Sequence, residues 1–577
     1  MKKLSFIIKF CKKDFLLYFV GDILNNLAPL IIGFIFKIII DYYDIINIIQ
    51  IVMLLFVLLV FNIFSSFISS SKTILYDNLN FKIKYKLQKN LISKLSNIEI
   101  SYFDKAEFIE KMNNGLKISN GMLTQNLVNI SSTISIFISS FLSFFIVFNT
   151  SWLFLLFIIM NCLINYLFER LKSNVNYKKD IFVEKDNIEN SYYQSLFGNK
   201  DSIKEMNVFD TKTFFIDKAY SKSMEIQIKK DKYDWKINFF SIINYIFSFI
   251  FQLLCGIVLI IQIQNKKATT GDFFYLLGLY SSLSVALNVL LNTRLESKQL
   301  NKYLKHYNDL FDMTEMNNNL IDFNSPVLEC KNVSFKYDDN SSFALEDINL
   351  KFKGNEKVAI IGENGAGKSS LVKLLAGIYS PTSGEILLNN VKVSNNLNYF
   401  TNITITFQDY FKFAFDVKTN ICLSDIQNTN TIRLNETIDV TNINNIINDL
   451  PYGLDTYLTN EYKKGIDLSE GQWQRIKLAK MIYKNSNIVF MDEPTAAIDA
   501  IQEYNLFKMI SNITKNKMTF LVSHRIGFAK LADRIIVLQD GKIVEDGTHD
   551  ELIQKKGIYY NMYEGQAKMY KDGVLNE

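Results

Sequence analysis

The sequence predicts a multi-domain protein: an all-α membrane domain of six transmembrane helices over residues 1–310, a linker at 311–325, and an α/β P-loop domain over 326–577. Three observations predict it. The first half holds six apolar segments able to cross a hydrocarbon core of ~30 Å, which takes about 20 helical residues. Residues 362–369 read G-E-N-G-A-G-K-S directly after an apolar run ending at Ile361. A second apolar run, Ile-Val-Phe-Met at 488–491, ends in Asp492-Glu493.

The spans are expected near 16–40, 48–71, 131–149, 152–170, 238–263 and 272–292. The start, MKKLSFIIKFCKKDF, is basic and amphipathic and runs into the first span without a small-residue cleavage site, so it reads as a membrane-surface helix. Lys2, Lys3, Lys9, Lys12 and Lys13, with lysine-rich stretches at 72–130 and 171–237, mark the cytoplasmic side; 41–47 and 149–151 contain no Lys or Arg. Both termini are therefore expected in the cytoplasm of a multi-pass cell-membrane protein, with Lys266 and Lys267 running mildly against the rule. The two inner connections, about 60 residues each, are too long for plain loops and predict helices continuing as pairs beyond the bilayer. Asp22 and Lys37 fall inside the first span. An intramembrane charge is a candidate for the substrate cavity, although Lys37 is near enough to the outer end to snorkel.

Charge and cysteine content exclude several classes. A net charge of +5 on 577 residues is too small to argue for a nucleic-acid partner. The five cysteines (Cys11, Cys162, Cys255, Cys330 and Cys422) are scattered and form no CxxC pair, which fits reduced thiols and neither a disulfide framework nor a zinc site.

After Pro326, β-patterned segments at 328–337 and 344–352 lead to the strand 357–361, the glycine-rich turn and a helix from Ser369 to Tyr379. Strand, turn and helix in that order are the setting a phosphate loop requires. The backbone of Gly362, Glu363, Asn364, Gly365, Ala366 and Gly367 would cradle phosphates, Lys368 would add a point charge, and Ser369, followed by Ser370, would reach Mg²⁺. The continuously apolar strand before Asp492 is expected to be buried on both faces of a parallel sheet. Its carboxyl end is where ligands collect in such sheets. That places Asp492 to hold Mg²⁺ through water and Glu493 to polarise an attacking water, an α/β P-loop ATPase arrangement.

L-S-E-G-Q at 468–472, together with this loop, resembles the nucleotide-binding domain of ABC transporters over residues 326 to about 565. The resemblance implies ATP and Mg²⁺ as ligands. It implies that Tyr337 stacks on adenine and that Gln408, in T-F-Q-D-Y, touches Mg²⁺ and senses the membrane domain. Asp499 would lie in the D-loop, and His524, in V-S-H-R, would contact the γ-phosphate and the catalytic carboxylate Glu493. His306 and His549 lack such a setting and are expected to face solvent. Ser469, Gly471 and Gln472 would bind the γ-phosphate of ATP held by a second half-transporter chain. Glu470 departs from the glycine of the family pattern. A carboxylate there is unwelcome unless it points away, so a homodimer is expected first and a heterodimer with a weakened signature second.

Six spans followed by one ATPase domain resemble an exporter-type half-transporter that works by alternating access in the bacterial plasma membrane. Tyr102-Phe103-Asp104 with Glu107-Phe108, and Lys204-Glu205-Met206 with Phe209, resemble its two coupling turns. Trp473-Gln474 after the signature, with Gly465-Ile466-Asp467 before it, resembles exporters of lantibiotics and other peptides. No peptidase domain is expected, because membrane sequence begins within about 15 residues of Met1. A lipid flippase or multidrug exporter is the alternative substrate class, and an ATP-gated channel or regulator the alternative mechanism. A DNA-associated clamp would need coiled-coil heptads where the spans stand.

Overall fold

The computed structural model describes residues 11–574 apart from 44, 46, 151, 339–341, 409, 494–508, 524–528 and 531. The chain forms two compact units: 1–95 with 109–312, and 96–108 with 313–577.

The first unit is helical: α1 (Lys12–Asp41), α2 (Ile48–Asn97), α3 (Ala106–Lys117), α4 (Leu123–Thr150), α5 (Trp152–Leu196), α6 (Lys200–Val208), α7 (Lys212–Gln264) and α8 (Thr270–Asp312). Among the described residues, five helical stretches are long and apolar enough to cross a membrane: Lys12–Asp41, Ile48–Asn97, Ala106–Phe148, Trp152–Asn176 and Lys212–Gln264. The sixth expected span lies on α8, which adds Asp272 and Ser/Thr residues to its apolar stretch. Helices α2 and α7, at 50 and 53 residues, rise about 75–80 Å at 1.5 Å per residue, well over twice a hydrocarbon core. The long inner connections are thus helix.

Both intramembrane charges are paired. Asp22, 2% exposed, forms an ion pair with Lys72, and its Oδ2 accepts hydrogen bonds from Ser132 Oγ (2.8 Å) and Ser131 Oγ (3.2 Å). Lys37 Nζ lies 2.6 Å from Asp272 Oδ1. Asp22 is therefore a satisfied buried acid, consistent with buried charges being kept only when paired, and Lys37 does not rely on snorkelling. His306 is half-buried, its Nδ1 2.9 Å from Asn114 Nδ2, so the expected solvent-facing role fails there.

The second unit holds two sheets. Strands β1 (Val327–Phe335), β2 (Leu345–Lys353), β4 (Ser383–Leu388) and β5 (Val391–Lys392) form an antiparallel sheet in the order β2-β1-β4-β5. The other sheet runs β10-β9-β3-β8-β7-β6, with β3 (Lys357–Gly362), β6 (Ile403–Thr406), β7 (Ile488–Asp492), β8 (Met518–Val522), β9 (Arg534–Gln539) and β10 (Lys542–Gly547). Strands β9, β3, β8, β7 and β6 are parallel, and β10 is antiparallel to β9. Every residue of β7 is buried, as a two-faced strand requires. Leu328, Phe352, Ile360, Leu371, Phe490 and Phe520 share one core, which joins the sheets to the helix after β3. A smaller core of Val417, Ile438, Trp473, Ile476 and Tyr483 holds the helical layer together.

Residues 96–108 lie in the first half of the chain but are compact with the second unit. The Asn97 carbonyl accepts from Met316 N (2.8 Å), Tyr102 Oη lies 3.0 Å from Thr314 Oγ1, and Tyr379 Oη donates to Asp104 Oδ2 (2.8 Å). The expected linker is likewise docked, with Ile321 buried in the main core of this unit.

Candidate nucleotide site

The phosphate loop joins β3 to α9 (Lys368–Leu375). Two glycines are required by geometry. A Cβ at Gly362 would come within 2.3 Å of the Leu538 carbonyl oxygen. Gly367 has φ +98°, and its Cβ would lie 2.7 Å from the Ala344 oxygen, a conformation and approach that suit only glycine. Ala366 is buried, while Glu363, Asn364 and Gly365 are exposed on the turn.

Lys368 is 6% exposed. Its ammonium donates to the carbonyls of Gly362 (2.9 Å) and Glu363 (2.8 Å). Burial lowers its pKa from the ordinary lysine value, against the opposing fields of Glu493 and Asp492. β8 lies between β3 and β7, so Gly362 and Asp492 end at one edge of the sheet. Asp492 is buried; burial raises its pKa, a hydrogen bond from Ser369 opposes this, and the charge of Glu493 adds to it. Asp492 Oδ1 has no hydrogen-bond partner among the described residues. A buried carboxylate oxygen without a donor, beside a serine hydroxyl, fits a hard oxygen-seeking cation such as Mg²⁺.

Glu493 is half-buried, with φ +46° and its N–H on the Val522 carbonyl at 3.1 Å. A positive φ at a bulky non-glycine residue is costly and is commonly kept at functional positions. Tyr337 is 45% exposed, its hydroxyl 3.0 Å from Ser370 Oγ. Its ring meets Phe335 and Tyr379 edge-on, at centroid distances of 4.9 and 5.7 Å. Gln408 is exposed, two residues beyond β6. Thr406 of β6 registers with Met491 of β7, so Gln408 leaves the sheet at the edge that carries Asp492.

The signature opens helix α14, reached after α10 (Leu397–Asn402), α11 (Val417–Cys422), α12 (Thr431–Thr441) and α13 (Asn444–Asn448); α14 spans Glu470–Lys484. Ser469 is its N-cap: Ser469 Oγ accepts from Gln472 N (3.3 Å), and Gln472 Oε1 accepts from Ser469 N (2.9 Å). This reciprocal capping box fixes the first turn. A Cβ at Gly471 would meet nothing within 4 Å. Trp473, 2% exposed, donates from Nε1 to Asp467 Oδ1 at 3.0 Å, which ties the residues before the signature to those after it.

The structure thus brings Lys368, Ser369, Asp492 and Glu493 together at one sheet edge, with Tyr337 on Ser370 at the start of α9. The signature residues form a separate helix start. His524 and Asp499 lie outside the described residues. His549, expected in solvent, is half-buried with Nδ1 2.8 Å from Tyr559 Oη. Sequence reasoning missed Lys412 and Tyr410: Lys412 Nζ reaches Glu470 Oε2 at 2.6 Å and Tyr410 Oη reaches Oε1 at 3.1 Å. They stand 58 and 60 residues from Glu470, and no local pattern joins them to it.

Residues 345–496 match the family model for the ABC transporter ATP-binding region. Over 515 residues the chain is 28% identical to the nisin transport ATP-binding protein NisT of Lactococcus lactis, covering 85% of this chain and 83% of that protein. It is also 28% identical to the subtilin transport ATP-binding protein SpaT of Bacillus subtilis, covering 85% and 81%. The fold matches the structure of a bacterial Atm1-family ABC exporter with ATP bound, with a TM-score of 0.79 and 19% identity over 97% of this chain and 98% of that one. Residues 345–496 thus form an ABC transporter ATP-binding domain, and a helical domain of membrane type precedes it.

Proposed function

We propose that the chain is one half of an ATP-driven exporter, that two copies share two ATP·Mg²⁺ sites, and that the cargo is a peptide of lantibiotic type. The observation that carries the reading is the single sheet edge holding Lys368, Ser369, Asp492 and Glu493 on the same unit as a capped signature helix. The phosphate-loop backbone and Lys368 hold the β- and γ-phosphates. Ser369, Asp492 and Gln408 would hold Mg²⁺, which would supply neutralising charge to the transferring phosphoryl group. Glu493 accepts hydrogen bonding from a water and aligns it with the γ-phosphorus, while His524 steadies that carboxylate. Tyr337 supports the adenine.

Ser469, Gly471 and Gln472, at a helix N-terminus, bind the γ-phosphate of the second copy's ATP. ATP then favours the closed dimer because it touches both chains only there, and hydrolysis removes that difference in affinity. Residues 96–108, packed with the ATP-binding unit through Tyr379 and Thr314, carry the closure to the spans. Both termini face the cytoplasm in this reading, and the spans lie in a bacterial membrane.

Similarity to two proteins named for nisin and subtilin transport supports the cargo class. A second reading, export of amphiphilic drugs, is favoured by 36% identity over 238 residues to a Staphylococcus aureus protein named for multidrug export, which covers 41% of this chain. The test is ATP turnover of the full chain in lipid vesicles with lanthionine peptides, linear peptides, lipids and drugs added in turn. Stimulation and vesicle accumulation of a lanthionine peptide are expected. Stimulation by drugs or lipids alone would transfer the reading to the second class, and ion conductance without accumulation would replace transport by gating.

A further inference from the structure

Glu470 occupies the first turn of α14, where a free carboxylate would itself answer the positive end of the helix and compete with a phosphate for it. It is not free. Both oxygens are engaged, Oε1 by the Tyr410 hydroxyl at 3.1 Å and Oε2 by the Lys412 ammonium at 2.6 Å. We propose that Lys412 and Tyr410 form a clasp that neutralises Glu470 and draws it toward the segment after Gln408. The signature is thereby left able to serve ATP held by a second copy of this chain. Lys412 is then a positioning residue, and the inference rests on the dimer reading above.

The clasp stands on an ordered platform. Lys412 Nζ lies 6.0 Å from the Tyr410 ring centre and 5.9 Å from that of Trp473, and the two rings are 6.5 Å apart. Trp473 is fixed by Asp467. Lys477 of α14 sits 4.9 Å over the Tyr410 ring and donates to the Phe407 carbonyl, binding this segment to the signature helix. Ser469 and Gln472 keep their reciprocal cap without using the Glu470 carboxylate. The hydrogen bond from Lys412 holds the Glu470 carboxyl below the ordinary range, against the opposing effect of partial burial. With Lys412 and Glu470 side chains 40% and 58% exposed, the pair adds little to folding. Its removal therefore leaves an intact protein in which the electrostatic effect can be read.

The experiment compares ATP dependence of turnover for four full-length chains in lipid: wild type, Lys412→Met, Glu470→Gly and the double variant. Binding of a fluorescent ATP analogue to each chain's own phosphate loop is measured alongside. Lys412→Met is expected to raise KM for ATP about tenfold, the scale of an uncompensated charge at a helix N-terminus, with binding to the chain's own loop unchanged. In the Glu470→Gly background the same substitution should have little effect, and Lys412→Arg should preserve wild-type behaviour. A purely structural role for Lys412 would not be rescued by Glu470→Gly, so a double variant as impaired as Lys412→Met overturns the clasp. So does an unchanged Lys412→Met, or a gain in turnover above about tenfold in Glu470→Gly alone, which would mean that the clasp leaves Glu470 limiting. If all four chains bind ATP and none turns it over, the homodimer reading fails and the clasp fails with it. Activity in Glu470→Gly alone would overturn the clasp and leave the homodimer standing.

Discussion

Lys368→Met tests the nucleotide site most directly. The ammonium makes two hydrogen bonds, to the carbonyls of Gly362 and Glu363, at 2.9 and 2.8 Å. A phosphate must exchange for one or both, so the net gain is less than two full charged bonds. One such bond contributes about 1.5–3 kcal/mol, which corresponds to roughly 10- to 150-fold in ATP affinity. The effect on the fold should have the opposite sign or be small. Burial disfavours the charged ammonium and lowers its pKa, so the unfolded chain holds this proton more tightly than the folded one. Its contribution to stability therefore rises with pH between the folded and unfolded values, and an uncharged side chain of similar length removes that slope. The assay is calorimetric ATP titration of wild type and variant, with thermal unfolding of the same samples. Affinity within about threefold of wild type would refute the role assigned to the ammonium. A large fall in unfolding temperature without nucleotide would show instead that Lys368 is chiefly structural.

Glu493→Gln should keep ATP binding and lower turnover by about 100-fold or more, the scale for a positioned base; near-normal single-turnover hydrolysis would reassign it. Lys484 donates to the Phe400 carbonyl at 2.8 Å and to the Ile403 carbonyl, and burial lowers its pKa from 10.5 to about 8. The folded state binds this proton more weakly, so its contribution to stability should rise as pH goes from about 8 to 10.5. The unfolding temperature of wild type should gain on that of Lys484→Met as pH rises across that range, and parallel curves would count against the shift. In the membrane unit, Asp22→Leu leaves Lys72 without its buried partner and should destabilise by about 3–5 kcal/mol, whereas Asp22→Leu with Lys72→Met should recover most of the loss. Thermal aggregation of the detergent-solubilised chains reads both.

What the sequence made legible was local. Gly362 to Ser369 and Ile488 to Glu493 each carry their chemistry within a few residues, because a phosphate loop is one turn and a two-faced strand is one apolar run. The fate of Asp22 was not legible, since its partners Lys72, Ser131 and Ser132 are supplied by α2 and α4. The same holds for Glu470, whose departure from the family glycine reads as a defect until Lys412 and Tyr410 are placed beside it. Residues 96–108 could be named as a coupling turn by resemblance, but their assignment to the second unit depends on pairings such as Ile98 with Glu315. His306 and His549 looked idle because a half-buried histidine bonded to Asn114 or Tyr559 leaves no periodic trace.

Three costs meet at the carboxyl edge of the parallel sheet, and one ligand offsets two of them. Lys368 is a buried cation held by carbonyl oxygens that any phosphate would outmatch in charge. Asp492 is a buried acid whose Oδ1 finds no donor among the described residues. Glu493 holds a left-handed backbone next to it. A fold selected for stability alone would place apolar residues at the first two positions and a glycine at the third. An anion satisfies the lysine and leaves the aspartate unanswered, and a cation does the reverse. A polyphosphate carrying a divalent cation answers both, and this is the electrostatic argument for the ATP·Mg²⁺ proposed above over a simple phosphate or a lone metal ion.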